Sequence, residues 1–309
     1  MGLYRQPNDW TCGPFALKHA LVTLGRLADE DTISEIVHPH WWAGSDEVKL
    51  ARAARHYDCD LPLVRRTDAH RAQGTLMNYV DRSVPVLLCV DQWSHWITVV
   101  GRDPVSTKQR FIVLDSRYEP VLHVVPWAKL RKRWRYLDVE RDQPKPLFDL
   151  HPVRAKFRVP HTARFSVERA QYLRRPENAG LAKHWDDYLG DLMEICKPKT
   201  SRTAGNMPMS EFLRQHQDML VQRVGYWHGD VPQTAVERLV RNFRFVAETY
   251  MLTIPASATR RATVDMSMLL ALWAAASRGI DSMYGSDEDN DCKRRAPRRR
   301  RRRRLSYHW

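Results

Sequence analysis

Three short β-rich runs follow one another at residues 84–90 (VPVLLCV), 96–101 (WITVVG) and 110–114 (RFIVL). Each is strand-length, rich in Val and Ile, and separated from the next by turn material. Connections this short join antiparallel neighbours, because a parallel pair needs a long crossover. Residues 120–125 read as a fourth strand, and residues 61–64 as a short one. Helical patterns come before this block, at 12–24, 32–37, 46–57 and 75–82. In the first, Phe15, Leu17, Ala20, Leu21 and Leu24 recur at three- and four-residue steps. Pro14 is tolerated in its opening turn, and Gly25 is placed to end it. Ser45 or Asp46 caps the third, whose apolar face is Val48, Leu50, Ala51 and Ala54. Helices followed by an antiparallel sheet define an α+β class.

Beyond the sheet the pattern changes. Pro144, Pro146, Pro152 and Pro160 interrupt residues 141–160, which read as a linker or a long covering segment. Helical periodicity then dominates at 166–173, 182–196, 209–226, 233–252 and 259–278. With 309 residues the chain suits two domains: an α+β unit over 1–140 and an all-α unit over 161–285. Residues 286–309 are acidic at first and then basic, a composition that buries no core and predicts disorder.

Charge is concentrated in that tail. Residues 293–304 hold ten cations, and removing those ten from the net +14 leaves +4. Seven consecutive arginines, beginning at Arg298 and ending at Arg304, predict attraction to polyanions: nucleic acid, an acidic surface or anionic lipid. A tail with weak, functionless polyanion affinity fits the same residues. The five cysteines, Cys12, Cys59, Cys89, Cys196 and Cys292, are scattered, with no Cys-x-x-Cys pair. This argues against a disulfide framework and against a zinc site. Residues 1–10 lack the apolar core of a secretion signal, and no run reaches the ~18 apolar residues of a membrane span. A cytoplasmic location is expected.

Cys12 opens an apolar helix, where unsatisfied N–H groups and partial positive charge favour a thiolate. Gln6, on the approaching chain, has a side-chain amide that could join the Cys12 N–H as an oxyanion hole. Gly13 leaves room for a substrate backbone. His95 stands at the head of a strand, after the turn 91–94. There an imidazole can face a helix N-terminus as the base of a Cys–His pair. Asp115 ends the next strand. If the two strands pair, it lies beside His95 and fixes its tautomer. Singly, these are equally a buried helix cysteine, a surface glutamine, a turn histidine and a strand-end aspartate. His38 and His40 sit in a Trp-rich loop (HPHWW) and read as structural or substrate-lining, with no third metal ligand nearby. Residues 227–230 (WHGD) read as a structural turn between helices.

Together the four residues carry a resemblance. Residues 6–17 (QPNDWTCGPFAL) resemble the nucleophile motif of the bacteriocin-processing (double-glycine leader) cysteine peptidases and their stand-alone relatives. Residues 94–101 (SHWITVVG) look like that family's histidine strand, and residues 112–116 (IVLDS) like its aspartate strand. The likeness spans about residues 3–137. It implies a papain-like fold and a thiol peptidase, with Cys12 as nucleophile, His95 as base, Asp115 as orienter and Gln6 as oxyanion donor. No cofactor is implied, and the partner is a peptide or protein substrate. The chain departs from the family at Thr11, where Asp is usual, and at Ser116, where Pro is common. No transporter segment follows, so specificity for a double glycine does not carry over with the motif.

Two outcomes stay open for the thioester, hydrolysis of a peptide or isopeptide bond or transfer to an amine. A different class of function is a catalytically weak or inactive peptidase-like adaptor that uses the helical half and a polyanion- or nucleic-acid-binding tail. The intact Gln–Cys–His–Asp set favours an enzyme, and the helical half is expected to select or present the substrate.

Overall fold

The computed structural model describes residues 2–104, 109–137, 145–159, 161–196, 206–227 and 231–276. The expected disordered tail, its arginine run and residues 228–230 lie outside them.

The first elements are helices α1 (Cys12–Thr23), α2 (Glu30–Val37) and α3 (Glu47–His56). Strands β1 (Cys59–Asp60) and β2 (Val64–Arg66) and helix α4 (Ala69–Asp81) follow. Asp29, Asp46 and Asp68 cap α2, α3 and α4, each accepting from a backbone N–H three residues on. Then come β3 (Val86–Val90), β4 (His95–Arg102), β5 (Arg110–Leu114) and β6 (Leu122–Pro126). After these lie α5 (Trp127–Trp134), β7 (Tyr136–Leu137), β8 (Pro146–Pro152) and β9 (Arg154–Ala155). The main sheet runs β2-β8-β3-β4-β5-β6, with β7 on β8, and every pairing in it is antiparallel.

The reading of residues 141–160 as a linker is corrected over Pro146–Pro152. This segment is β8, inserted between β2 and β3. Its prolines stand at the two strand ends, where the lost donor costs least. Between them the alternation survives: Phe148 and Leu150 are buried against α4 and α5. Helix α5 has no counterpart among the expected elements; its Trp127, Leu130 and Trp134 turn inward.

The second half contains α6 (Val167–Leu173), α7 (Ala179–Lys183), α8 (Trp185–Cys196), β10 (Asn206–Pro208), α9 (Met209–Trp227), α10 (Gln233–Tyr250), β11 (Thr253–Pro255) and α11 (Thr259–Ala276). It is mainly helical, with one small β10–β11 ribbon. The expected helix 182–196 is divided at His184 into α7 and α8.

One face of the main sheet packs on α4 and α5. On the other face α1, α2 and α3 cover Leu87, Cys89 and Trp96. The helical half continues that second layer: Val22, Val100, Ile112 and Leu114 share one core with Trp185, Leu189, Phe243 and Tyr250. Every residue of α1 is buried, as expected of a helix that packs on all sides.

Polar groups in α1 reach across these contacts. Thr98 Oγ1 of β4 donates to the Ala16 carbonyl at 2.6 Å. Lys18, wholly buried, meets Glu30 at 3.0 Å and Asp186 at 3.2 Å and donates to the Gly2 carbonyl at 2.9 Å. Tyr4 donates to the same Glu30. Burial pushes the Lys18 ammonium down and the two carboxyls up, while Asp186 opposes the shift on Lys18. Lys18→Met strands two buried acids without their cation. It is expected to lower stability by about 3–5 kcal/mol in urea unfolding. A loss under about 1 kcal/mol would show that the cluster does not hold the halves together.

Candidate functional site

The N-terminus of α1, the head of β4 and the loop after β5 meet at one edge of the sheet. The approach to α1 is set locally. Asn8 Oδ1 accepts from the N–H groups of Trp10 and Thr11 at 3.3 and 3.1 Å, turning the chain into the helix. Cys12 is then the first helical residue, 3% exposed. Ser45 packs on the next residue. A Cβ at Gly13 would lie 2.7 Å from Ser45 Cβ and 2.8 Å from its Oγ. The glycine thus admits the α3 approach as well as leaving the thiol uncrowded.

Register delivers the other groups. Strands β4 and β5 pair with Thr98 opposite Leu114, which brings the head of β4 to the end of β5. His95 is 1% exposed and Asp115 2%. His95 Nε2 and Asp115 Oδ1 are 2.7 Å apart. Nδ1 is buried and has no hydrogen bond of ordinary geometry. Burial pushes the imidazole down, but the hydrogen bond and charge of Asp115, together with the neighbouring Cys12 sulfur, outweigh it and raise its pKa. The ring is therefore flanked by the carboxylate through Nε2 and by the thiol.

Asp115 is tuned the other way. Burial alone would raise it, yet the bond and charge of His95, and then Arg133, hold it at about 2. Arg133 Nη1 donates to Asp115 Oδ2 at 2.9 Å, and the Arg117 N–H donates to Oδ1 at 3.2 Å. His19 lies two turns along α1 from Cys12 and is wholly buried. Burial first, and then the Lys18 charge, push its pKa down to about 3.

Gln6 is buried beside this group. Its Nε2 donates to the Asn8 carbonyl at 2.7 Å, and its Oε1 accepts from Ser116 Oγ at 2.6 Å. A carbonyl only accepts, so the Asn8 contact fixes which end of the amide is nitrogen. Gln6 N–H also donates to the Ser116 carbonyl at 2.9 Å. The structure brings Cys12, His95 and Asp115 to one sheet edge and holds Gln6 on Ser116, the residue after Asp115. Arg133 is not among the residues expected at the site, and it lies in a basic run, 131–133 (RKR), whose other two members are exposed. Its signal was its place one turn after Leu130 and beside Trp134, on the inward side of α5. Ser116 was noticed only as a departure from a family pattern.

His38 and His40 do not join the site's hydrogen bonds. His38 ends α2 with a left-handed backbone, and His40 forms an isolated bridge with Gly44. The loop between His40 and Gly44 exposes Trp41 and Trp42. Among the described residues no group of three or more His, Cys, Asp or Glu is placed to hold a metal ion, and no helix is long and apolar enough to cross a membrane.

No protein-family model matches the chain, and no curated protein matches it. Solved structures do. The peptidase domain of Streptococcus ComA, a bi-functional ABC transporter involved in a quorum-sensing pathway, is 17% identical over 49% of this chain and 98% of its own, with a TM-score of 0.35. A double-glycine-motif protease from an AMS/PCAT transporter, solved in complex with the leader peptide, is 14% identical over 48% of this chain and 90% of its own, with a TM-score of 0.35.

The depressed pKa of Asp115 makes a stability prediction. A carboxyl whose folded pKa lies below its ordinary 3.8 stabilises the fold above that value, and loses the effect as pH falls towards 2. Asp115→Asn is expected to be less stable than wild type at pH 7 by on the order of 2 kcal/mol. In urea unfolding at successive pH values, that gap should narrow between pH 4 and pH 2. A gap that persists unchanged through this window would show that the ionised carboxylate is not its source.

Proposed function

We propose that the chain is a cysteine peptidase that hydrolyses a peptide or isopeptide bond through a thioester at Cys12. The observation that carries this reading is the polarity of His95. One ring nitrogen is engaged by Asp115 and the other has no hydrogen-bond partner, while the Cys12 sulfur, at the start of a buried helix, acts on the ring and helps to raise its pKa.

In the first half-reaction His95 Nδ1 takes the Cys12 proton and the sulfur attacks the substrate carbonyl carbon. The carbonyl π electrons move to oxygen. Gln6 keeps one Nε2–H beyond the one given to Asn8. With the Cys12 N–H it supplies two donors for that oxyanion. Collapse breaks the C–N bond, and the imidazolium returns its proton to the leaving amine. In the second half-reaction His95 deprotonates water, which attacks the thioester. The acid departs and the thiol is restored. Asp115, held ionised, keeps Nε2 protonated and stabilises the imidazolium in both halves. Transfer to an amine in place of water uses the same groups. The exposed indoles Trp10 and Trp93 stand two residues before Cys12 and His95, and supply apolar surface for a peptide.

The test is thiol reactivity. Burial, the main cause at each, pushes the Cys59, Cys89 and Cys196 thiols up, Cys59 to about 11 and Cys196 to about 12. Iodoacetamide at neutral pH is expected to label Cys12 ahead of these three, and His95→Ala should abolish the preference. Cys12→Ala should remove peptide cleavage and leave the circular dichroism unchanged. Equal labelling of Cys12 and Cys59 in the wild type would refute the assignment.

A further inference from the structure

The β3–β4 turn that delivers His95 passes through three consecutive left-handed residues, Asp91 (φ 55°), Gln92 (φ 58°) and Trp93 (φ 61°). None is glycine. For ordinary L-residues this region costs roughly 1–2 kcal/mol each, so contacts outside the turn must hold it.

Gln92 Oε1 accepts from the Leu137 N–H at 3.3 Å, Trp93 stacks on Tyr136 at 3.7 Å, Arg117 Nη1 lies 3.4 Å from Asp91 Oδ2, and Arg133 of α5 meets Asp91 more closely. Its Nη2 and Nε donate to the Asp91 carboxylate at 2.8 and 3.1 Å, and its carbonyl accepts from the Asp91 N–H at 2.7 Å. Ser94 Oγ closes the turn on the Asp91 carbonyl at 2.7 Å. The third guanidinium nitrogen, Nη1, donates to Asp115 Oδ2, the oxygen that His95 leaves free. One planar fork thus meets two carboxylates whose spacing it matches, which a single ammonium cannot do. Arg133 is about one-fifth exposed and Asp115 almost wholly buried, so this is no solvated surface pair of little worth.

We infer that Arg133 is a positioning residue of the site: its guanidinium ties the turn that carries the base to the carboxylate that orients it, and so fixes the His95–Asp115 pair. The inference rests on the peptidase reading. Asp115 is faced by His95 from β4, by Arg133 from α5 and by the Arg117 backbone from its own loop; His19 of α1 and His123 of β6 feel its charge. Arg133 is the fixed cation among them.

The experiment follows the iodoacetamide labelling rate of Cys12 against pH by mass spectrometry, in the full chain, with thermal unfolding alongside. Arg133→Met is expected to slow labelling at pH 7 by roughly tenfold. It should also move the acidic limb of the profile to higher pH, because Asp115 loses a cation and a donor and protonates sooner. Arg133→Lys keeps the charge and loses the fork, so its limb should stay near that of wild type while the rate still falls. A folded Arg133→Met protein with the wild-type rate and limb overturns the inference. If that variant does not fold, wild-type labelling of Arg133→Lys overturns it instead. Failure of the peptidase reading looks different, because wild-type Cys12 would then show no preference that depends on His95.

Discussion

The site depends on the burial of α1 on all sides. A helix enclosed by the sheet, by α2 and α3 and by the helical half has no freedom to slide or rotate. Its first residue is therefore placed as firmly as any core side chain. The Thr98 bond to the Ala16 carbonyl sets the helix against β4 close to the strand's head. Sulfur and imidazole are thus related through one short, rigid path from helix to strand. Complete burial would normally exclude Lys18. It is accommodated because two carboxylates and a carbonyl converge on it.

Charge then grades across the site. Lys18 and His19 sit deep in α1, with both pKa values depressed chiefly by burial. At the sheet edge the order reverses, and Asp115 is held ionised by cations on two sides. The same burial that disfavours a lone charge strengthens this paired one. A carboxylate that stays ionised far below neutrality cannot take the proton from His95, so in the mechanism we propose its part is to orient and stabilise the imidazolium.

Much of this was legible in the sequence, for physical reasons. Strands β3, β4 and β5 are buried runs bounded by turns, and their short connections leave little choice but antiparallel pairing. Once His95 and Asp115 stand at the head of one strand and the end of the next, their meeting follows from register. What escaped the sequence was long-range. Strand β8 reaches the sheet centre from residues whose prolines suggest a loop, and only its partners β2 and β3 reveal its role. Arg133 sits in a basic run whose neighbours face solvent, and one inward residue among them leaves no mark in composition. The shared core between the halves is equally invisible, because periodicity states that a helix has an apolar face and says nothing of what covers it.

That shared core gives the helical half a structural part in the site. The Leu3 N–H donates to the Ala182 carbonyl at 2.8 Å, and a Cβ at Gly2 would lie 2.0 Å from the Lys183 carbonyl. The segment leading to Gln6 is therefore clamped on α7 at one end and on Ser116 at the other. The Tyr250 hydroxyl, from α10, donates to the Val22 carbonyl at 2.7 Å and anchors the far end of α1. The helix that begins at Cys12 and the segment that carries Gln6 are both held by contacts with the helical half. A substrate-selecting role for that half would be added to a scaffolding one, since removing it would unpin Cys12 and Gln6 before it altered what they meet.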